Sequence, residues 1–222
     1  MPVLEINGKR VTCDIKRKDI RHVYLKLKPN LQLELSLPHN TDISVDGILE
    51  KKRSWIERKV KEISEAKKTF NGDSILYKGE YIRVKAYVLK RPRKGVRLYK
   101  RVILIYEDSE SNREAILADF ITKQTLEYIQ QKAAEFAKEL GVTYGSIFTK
   151  EMKKWGYCTR EGDLFFNWRL ICLPQRLADY IVLHELLHLK HFNHSKQFKN
   201  DMTGHFIDYR EVVAQLKNYL LH

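Results

Sequence analysis

The pentapeptide His184-Glu185-Leu186-Leu187-His188 places two imidazoles and a carboxylate within five residues. On a helix, positions i and i+4 share a face, so both rings can grip one metal ion. Glu185, one residue past the first ring, can then reach a water on that ion. Two metal ligands and a general base are the minimum equipment for metal-assisted hydrolysis. The residues before the motif, Asp179-Tyr180-Ile181-Val182-Leu183, are mostly apolar, as expected for a helix buried beneath an active site. Pro174 marks where the chain turns into that helix.

Catalytic zinc usually has three protein ligands and one open position. His194 follows His188 by six residues, the interval found in H-E-x-x-H-x-x-G-x-x-H enzymes. There, glycine lies midway and turns the chain back. Here that position is His191, so the turn is expected elsewhere, at Asn193 in left-handed geometry. His191, His205 and an acidic side chain are the competing third ligands. A donor for a developing oxyanion is also needed. Tyr157, Arg160 and Tyr209 are the candidates, and the sequence does not choose among them.

The elements that must hold these residues can be read from periodicity. Val23, Leu25 and Leu27, then Leu31, Leu33, Leu35 and Leu37, alternate with polar residues. They predict two strands joined by a turn at Pro29-Asn30. Apolar residues at helical spacing from Val45 to Ile63 predict one helix over 45–66, stopped at Asn71-Gly72. Ser74–Tyr77 and Tyr81–Leu89 flank a tight turn at Lys78-Gly79-Glu80. Residues 90–97 read as a basic loop, and Val102–Tyr106 as a buried strand. A long helix is expected over 113–140, capped by Gly141. A short strand follows over 142–148, and Lys154–Cys158 reads as a loop. Asp163–Trp168 is a strand whose Phe165-Phe166 pair favours an interior position. The motif helix is expected over 175–192, with one or two helices after it.

Composition narrows the class. Hydrophobic content of 43% and charged content of 31% suit a globular protein. No apolar run approaches the length of a membrane span, and the first residues lack a secretory pattern. Cys13, Cys158 and Cys172 are odd in number and scattered, which argues for a reducing, cytoplasmic setting. The net charge of +13 is uneven. Residues 1–108 carry 26 Lys+Arg against 14 Asp+Glu, and residues 109–222 carry 15 against 14. A domain boundary is expected in the polar stretch 107–112. A basic β-rich domain with one helix, 1–108, would then precede a metal-site domain, 109–222. The basic half is a candidate surface for nucleic acid.

The residues Trp155-Gly156-Tyr157-Cys158, Asn167, Leu170, Pro174, Tyr180, His184–Leu189, Asn193-His194-Ser195 and Phe198 resemble the YgjP-like predicted metal-dependent hydrolases. That family is related to SprT-like zinc metallopeptidases. The resemblance is detailed in the C-terminal half. It is looser before it, through the Trp55 helix, the Tyr77–Glu80 hairpin and the helix before Gly141. Tyr157 stands where the family often has Ser, and Lys199 where it often has Trp. The resemblance implies an α+β protein, with a zincin-like catalytic domain of helix plus sheet behind a small β-rich domain. It implies one Zn²⁺ per chain on His184, His188 and His194, with Glu185 as base. The expected activity is that of a zinc-dependent metallopeptidase acting on a peptide or protein. The same activated water would also serve a nucleotide or ester substrate. A nucleic-acid-binding module acting through residues 1–108 is the reading from another class.

Overall fold

The computed structural model describes residues 3–28, 30–39, 44–66, 68–88, 95–107 and 112–219. The chain divides into two compact units, Met1–Ala66 and Lys67–His222. Both mix helices with sheets, so the class is α+β, as the sequence predicts.

In the first unit, strands β1 (Val3–Ile6), β2 (Lys9–Lys18), β3 (Tyr24–Leu27) and β4 (Gln32–Pro38) form a sheet in the order β1-β2-β4-β3. The alternation read from sequence holds: Leu33, Leu35 and Leu37 are buried, and β3 pairs antiparallel with β4. Pro29 of the expected turn lies outside the described residues. The single helix expected over 45–66 is two, α1 (Val45–Lys51) and α2 (Arg53–Glu65), broken at Lys52. Ile56 and Val60 of α2 share a core with Val11, Cys13 and Leu33. Asn71-Gly72 does not stop a helix. It turns the chain between β5 (Phe70–Asn71) and β6 (Ser74–Tyr77), with Gly72 at φ 57°.

The second unit opens with a five-stranded sheet. Strands β5, β6, β7 (Glu80–Val88), β8 (Gly95–Tyr99) and β9 (Val102–Glu107) take the order β5-β6-β7-β9-β8, with β7 and β9 parallel. Residues 95–97, expected in a basic loop, belong to β8. The hairpin to β9 turns on Lys100 and Arg101, both at positive φ. Gly95 and the surrounding charged residues had hidden this strand, of which Val96 packs on the core.

Helix α3 (Arg113–Leu140) runs as predicted, from an Asn112 cap bonded to the Ala115 amide to Gly141 at φ 64°. Its 28 residues span about 42 Å at 1.5 Å per residue. Leu117 and Ile121 at one end share a core with Ile75, Ile103 and Ile105 of the sheet. Ile129, Ala133 and Ala137 at the other end belong to the core around the motif helix. This corrects the boundary expected at 108/109. The polar stretch 107–112 joins a strand to a helix inside one unit, because both bury their apolar faces against each other. Of that stretch, residues 108–111 lie outside the described residues.

A three-stranded sheet and the motif helix complete the frame. Strands β10 (Ile147–Lys150), β11 (Gly156–Cys158) and β12 (Leu164–Asn167) take the order β10-β12-β11. The Phe165-Phe166 strand is therefore interior. Gly156–Cys158, expected in a loop, is the edge strand, antiparallel to β12. At three residues it is too short to show alternation. Helix α4 (Gln175–Leu187) carries the motif, followed by α5 (Lys196–His205) and α6 (Tyr209–Leu216). None of the described helices is long and apolar enough to cross a membrane.

Three contacts fix α4 from its N-terminal end. Thr125 of α3 donates its hydroxyl to the Trp168 carbonyl at 2.6 Å and accepts from the Ile171 amide at 3.3 Å. The Tyr128 hydroxyl bonds the Asp179 carboxylate. The β6–β7 turn donates Lys78 N to Ile171 O at 2.8 Å and Gly79 N to Cys172 O at 2.9 Å. Gly79 has φ 84°, and a Cβ there would lie 2.7 Å from Pro174 Cγ and 3.1 Å from the Pro174 backbone. Gly79→Ala combines backbone strain with that collision, so we expect a loss of about 2 kcal/mol. A lower urea midpoint by circular dichroism is the readout. An unchanged midpoint would show that this turn does not anchor α4.

Candidate metal centre

Helix α4 is apolar almost all round. Leu177, Ala178, Ile181, Val182, Leu183, Leu186 and Leu187 are buried, and so is Glu185, at 6% exposure. Burying a carboxylate is unfavourable unless the site uses it. The remaining stripe presents His184 and His188, one turn apart, as the i, i+4 spacing requires.

The helix ends at Leu187, not near 192. Amides of Leu189, Lys190 and His191 turn back onto carbonyls of Leu186 and Leu187, and the Ser195 amide onto Asn193. These bonds reverse the chain without left-handed geometry at Asn193, whose φ is not positive. Ser195 then caps α5 by accepting from the Phe198 amide at 3.2 Å. The cap sets His194 just outside α5, facing back to α4.

The result is a compact triangle. Ring centroids lie 5.0 Å apart for His184 and His188, 4.9 Å for His184 and His194, and 5.0 Å for His188 and His194. His184 Nε2 and His194 Nε2 approach to 3.0 Å. One nitrogen from each ring lies within 4.8 Å of the others, and among the described residues no other group of His, Cys, Asp or Glu forms such a cluster. The Phe198 ring backs all three imidazoles at 4.9–5.0 Å.

Neighbours orient the rings. His188 Nδ1 lies 3.0 Å from the His191 carbonyl, which can only accept. Nδ1 therefore carries a proton, which leaves Nε2 as the nitrogen to face a metal. His184 Nδ1 lies 3.3 Å from the Tyr180 hydroxyl, one turn back on α4. Burial, then the neighbouring His188 and His194, push the His184 pKa down to about 3, so the ring is neutral. Burial also lowers that of His194. Three imidazole nitrogens converging on one point are a donor set that fits a zinc-type ion.

The rival third ligands sit elsewhere. The His191 side chain pairs with Asp201 at 2.9 Å and contributes its carbonyl, not its ring. His205 faces Glu139 at 3.7 Å.

Glu185 lies under the edge strand. Burial pushes its carboxyl up to about 8, opposed by the charge of Lys154 and a backbone hydrogen bond with Cys158. A cleft of about 830 Å³ opens over the rings, walled by Lys154, Gly156–Arg160 and Phe192. Of the oxyanion candidates, Tyr157 and Arg160 line this cleft and Tyr209 does not. Tyr209 packs on the core around α4. The Tyr157 ring stacks on Phe165 at 4.8 Å, and its hydroxyl accepts from Lys150 at 2.8 Å.

Sequence reasoning missed three contributors. Gly156 approaches so closely that a Cβ would lie 2.9 Å from Glu185 Cγ and 3.0 Å from its Oε1. Gly156 and Phe198 entered only as carriers of the family resemblance, and Tyr180 also as part of an apolar lead-in. The i−4 spacing from Tyr180 to His184 was the available signal. For Gly156 and Phe198 there was none, because their roles depend on strands and helices meeting.

Comparisons with known proteins assign a family. The YgjP-like, metallopeptidase domain model matches residues 21–219. No curated protein matches the chain. Among solved structures, the metallopeptidase zymogen of Methanocaldococcus jannaschii, jannalysin, is 26% identical, with a TM-score of 0.37. The match covers 40% of this chain and 92% of that one. With the family model spanning nearly the whole chain, this protein belongs to the YgjP-like metallopeptidases.

Proposed function

We propose that the chain hydrolyses peptide bonds using one zinc ion held by His184, His188 and His194, with Glu185 as general base. The observation that carries this reading is the triangle of imidazoles lying beside a buried carboxylate at the floor of an open cleft. Bound zinc would supply a Lewis acid that makes a coordinated water acidic near neutral pH and polarises the substrate carbonyl. Glu185 accepts the proton of the attacking water and returns it to the leaving nitrogen. Burial favours the protonated form of Glu185, while Lys154 and the Cys158 backbone favour the charged form that accepts the proton. Tyr180 and the His191 carbonyl hold the rings of His184 and His188 in place throughout.

The substrate backbone has a natural partner in β11. It is the edge strand of its sheet and runs along the cleft wall, so an extended peptide can add to it by main-chain hydrogen bonds. Glycine at 156 keeps that wall thin over Glu185. Arg160 is the charged candidate for the oxyanion on the same wall. Lys154 and Arg160 outnumber the acids of the cleft lining, where Glu185 stands alone, so carboxylate-bearing peptides suit it best.

Three experiments test the reading. Metal analysis of the purified chain should find about one zinc per protein, and His184→Ala should abolish it. Glu185→Gln should retain zinc and lose about 10² to 10⁴ in turnover of a fluorogenic peptide. Full activity in that variant would remove Glu185 from the mechanism. Gly156→Ala should keep its zinc, because the residue lies at ordinary φ and a Cβ there would meet the Glu185 side chain and the Phe166 ring but none of the three histidines. It should lose on the order of 10² in kcat by displacing the carboxylate. Wild-type turnover there would mean that the close approach is incidental.

A further inference from the structure

The basic excess expected of residues 1–108 is not spread over them. Residues 1–66 hold 14 Lys+Arg against 10 Asp+Glu, whereas residues 67–108 hold 12 against 4. The second stretch builds the five-stranded sheet of the metallopeptidase unit.

One face of that sheet packs on α3 through Val84, Ala86, Ile103, Ile105 and Val96. The alternate residues of β7, β9 and β8 must therefore point to the other side. The register sets them in three rows: Arg83–Val102–Tyr99, Lys85–Leu104–Arg97 and Tyr87–Tyr106–Gly95. These nine positions hold three cations, three tyrosines and no acid. Arg83, Lys85 and Arg97 are exposed, and no ion pair engages them among the described residues. Tyr87 and Tyr99 are 47% and 55% exposed. The Tyr87 and Tyr106 rings lie 6.0 Å apart and nearly parallel. Lys100 adds a cation 5.4 Å from the Tyr99 ring, and the nearby acid Glu80 is paired with Arg101.

We propose that this open face binds single-stranded nucleic acid, with the cations on phosphates and Tyr87, Tyr99 and Tyr106 stacking bases. A sheet face carrying aromatic and basic side chains together matches both halves of a nucleotide, the flat base and the charged backbone. A duplex offers the charge but hides the base faces, and an acidic peptide offers charge without stacking surface. The proposal is independent of the metal site.

The test is fluorescence anisotropy on the full chain with a labelled 15-mer of oligodeoxythymidylate, its duplex counterpart and unlabelled polyglutamate. The single strand should bind more tightly than the duplex, and binding should weaken with salt. The triple variant Arg83→Ala, Lys85→Ala, Arg97→Ala should bind at least about tenfold more weakly. It should also flatten the log–log salt slope by about 2, at roughly 0.7 per lost phosphate contact. Tyr87→Ala should weaken binding about fivefold or more, and Tyr87→Phe should restore it, since stacking needs the ring and not the hydroxyl. His184→Ala should leave binding unchanged. Equal affinity for duplex, equal competition by polyglutamate, or unchanged binding by the triple variant would each overturn the proposal.

Discussion

Everything at this site depends on how tightly α4 is enclosed. Its leucines, Ile181 and Val182 bury against α3, the three-stranded sheet and the C-terminal helices. That enclosure does two jobs at once. It fixes the helix so that a ring nitrogen stays where it is placed, and it removes water from around Glu185 and His184. A carboxylate buried this far is unstable as a charge, and a buried imidazole stays neutral. The same packing energy that stabilises the fold therefore sets the protonation of Glu185 and His184.

The triangle of imidazoles is assembled by two different devices. His184 and His188 come together through the helical repeat alone. His194 arrives by a tight reversal after Leu187 and a serine cap on α5. Enzymes of the H-E-x-x-H-x-x-G-x-x-H type turn on the backbone freedom of the glycine between their second and third histidines. Here a ladder of amide-to-carbonyl bonds does the turning, and His191 is freed to serve the site with its carbonyl. Its imidazole, anchored on Asp201, keeps that carbonyl aimed at His188.

The long helix α3 explains why sheet and site form one unit. Its first half closes the five-stranded sheet and its second half closes the core around α4, with Thr125 between them bonded to the chain just before the motif helix. The sheet thereby keeps one face buried and one face free. The cleft and the open basic face are then separate surfaces of the same body, each with its own chemistry.

Much was legible in the sequence. Local periodicities gave the β3–β4 hairpin, α3 with its Gly141 cap, and the motif helix, because helix and strand repeats are properties of neighbouring residues. The H-E-x-x-H spacing put two rings and a carboxylate together for the same reason. What lay outside it was long-range. The position of His194 depends on where a helix stops, and the edge strand Gly156–Cys158 exists only because β12 lies beside it. The unit boundary moved from 108 to 66 because Ile103 and Leu117 pack together across a polar connection. Residue types and spacing thus determined which groups could react. Tertiary packing alone decided which of them meet, since convergence and burial arise from contacts between segments far apart in the chain.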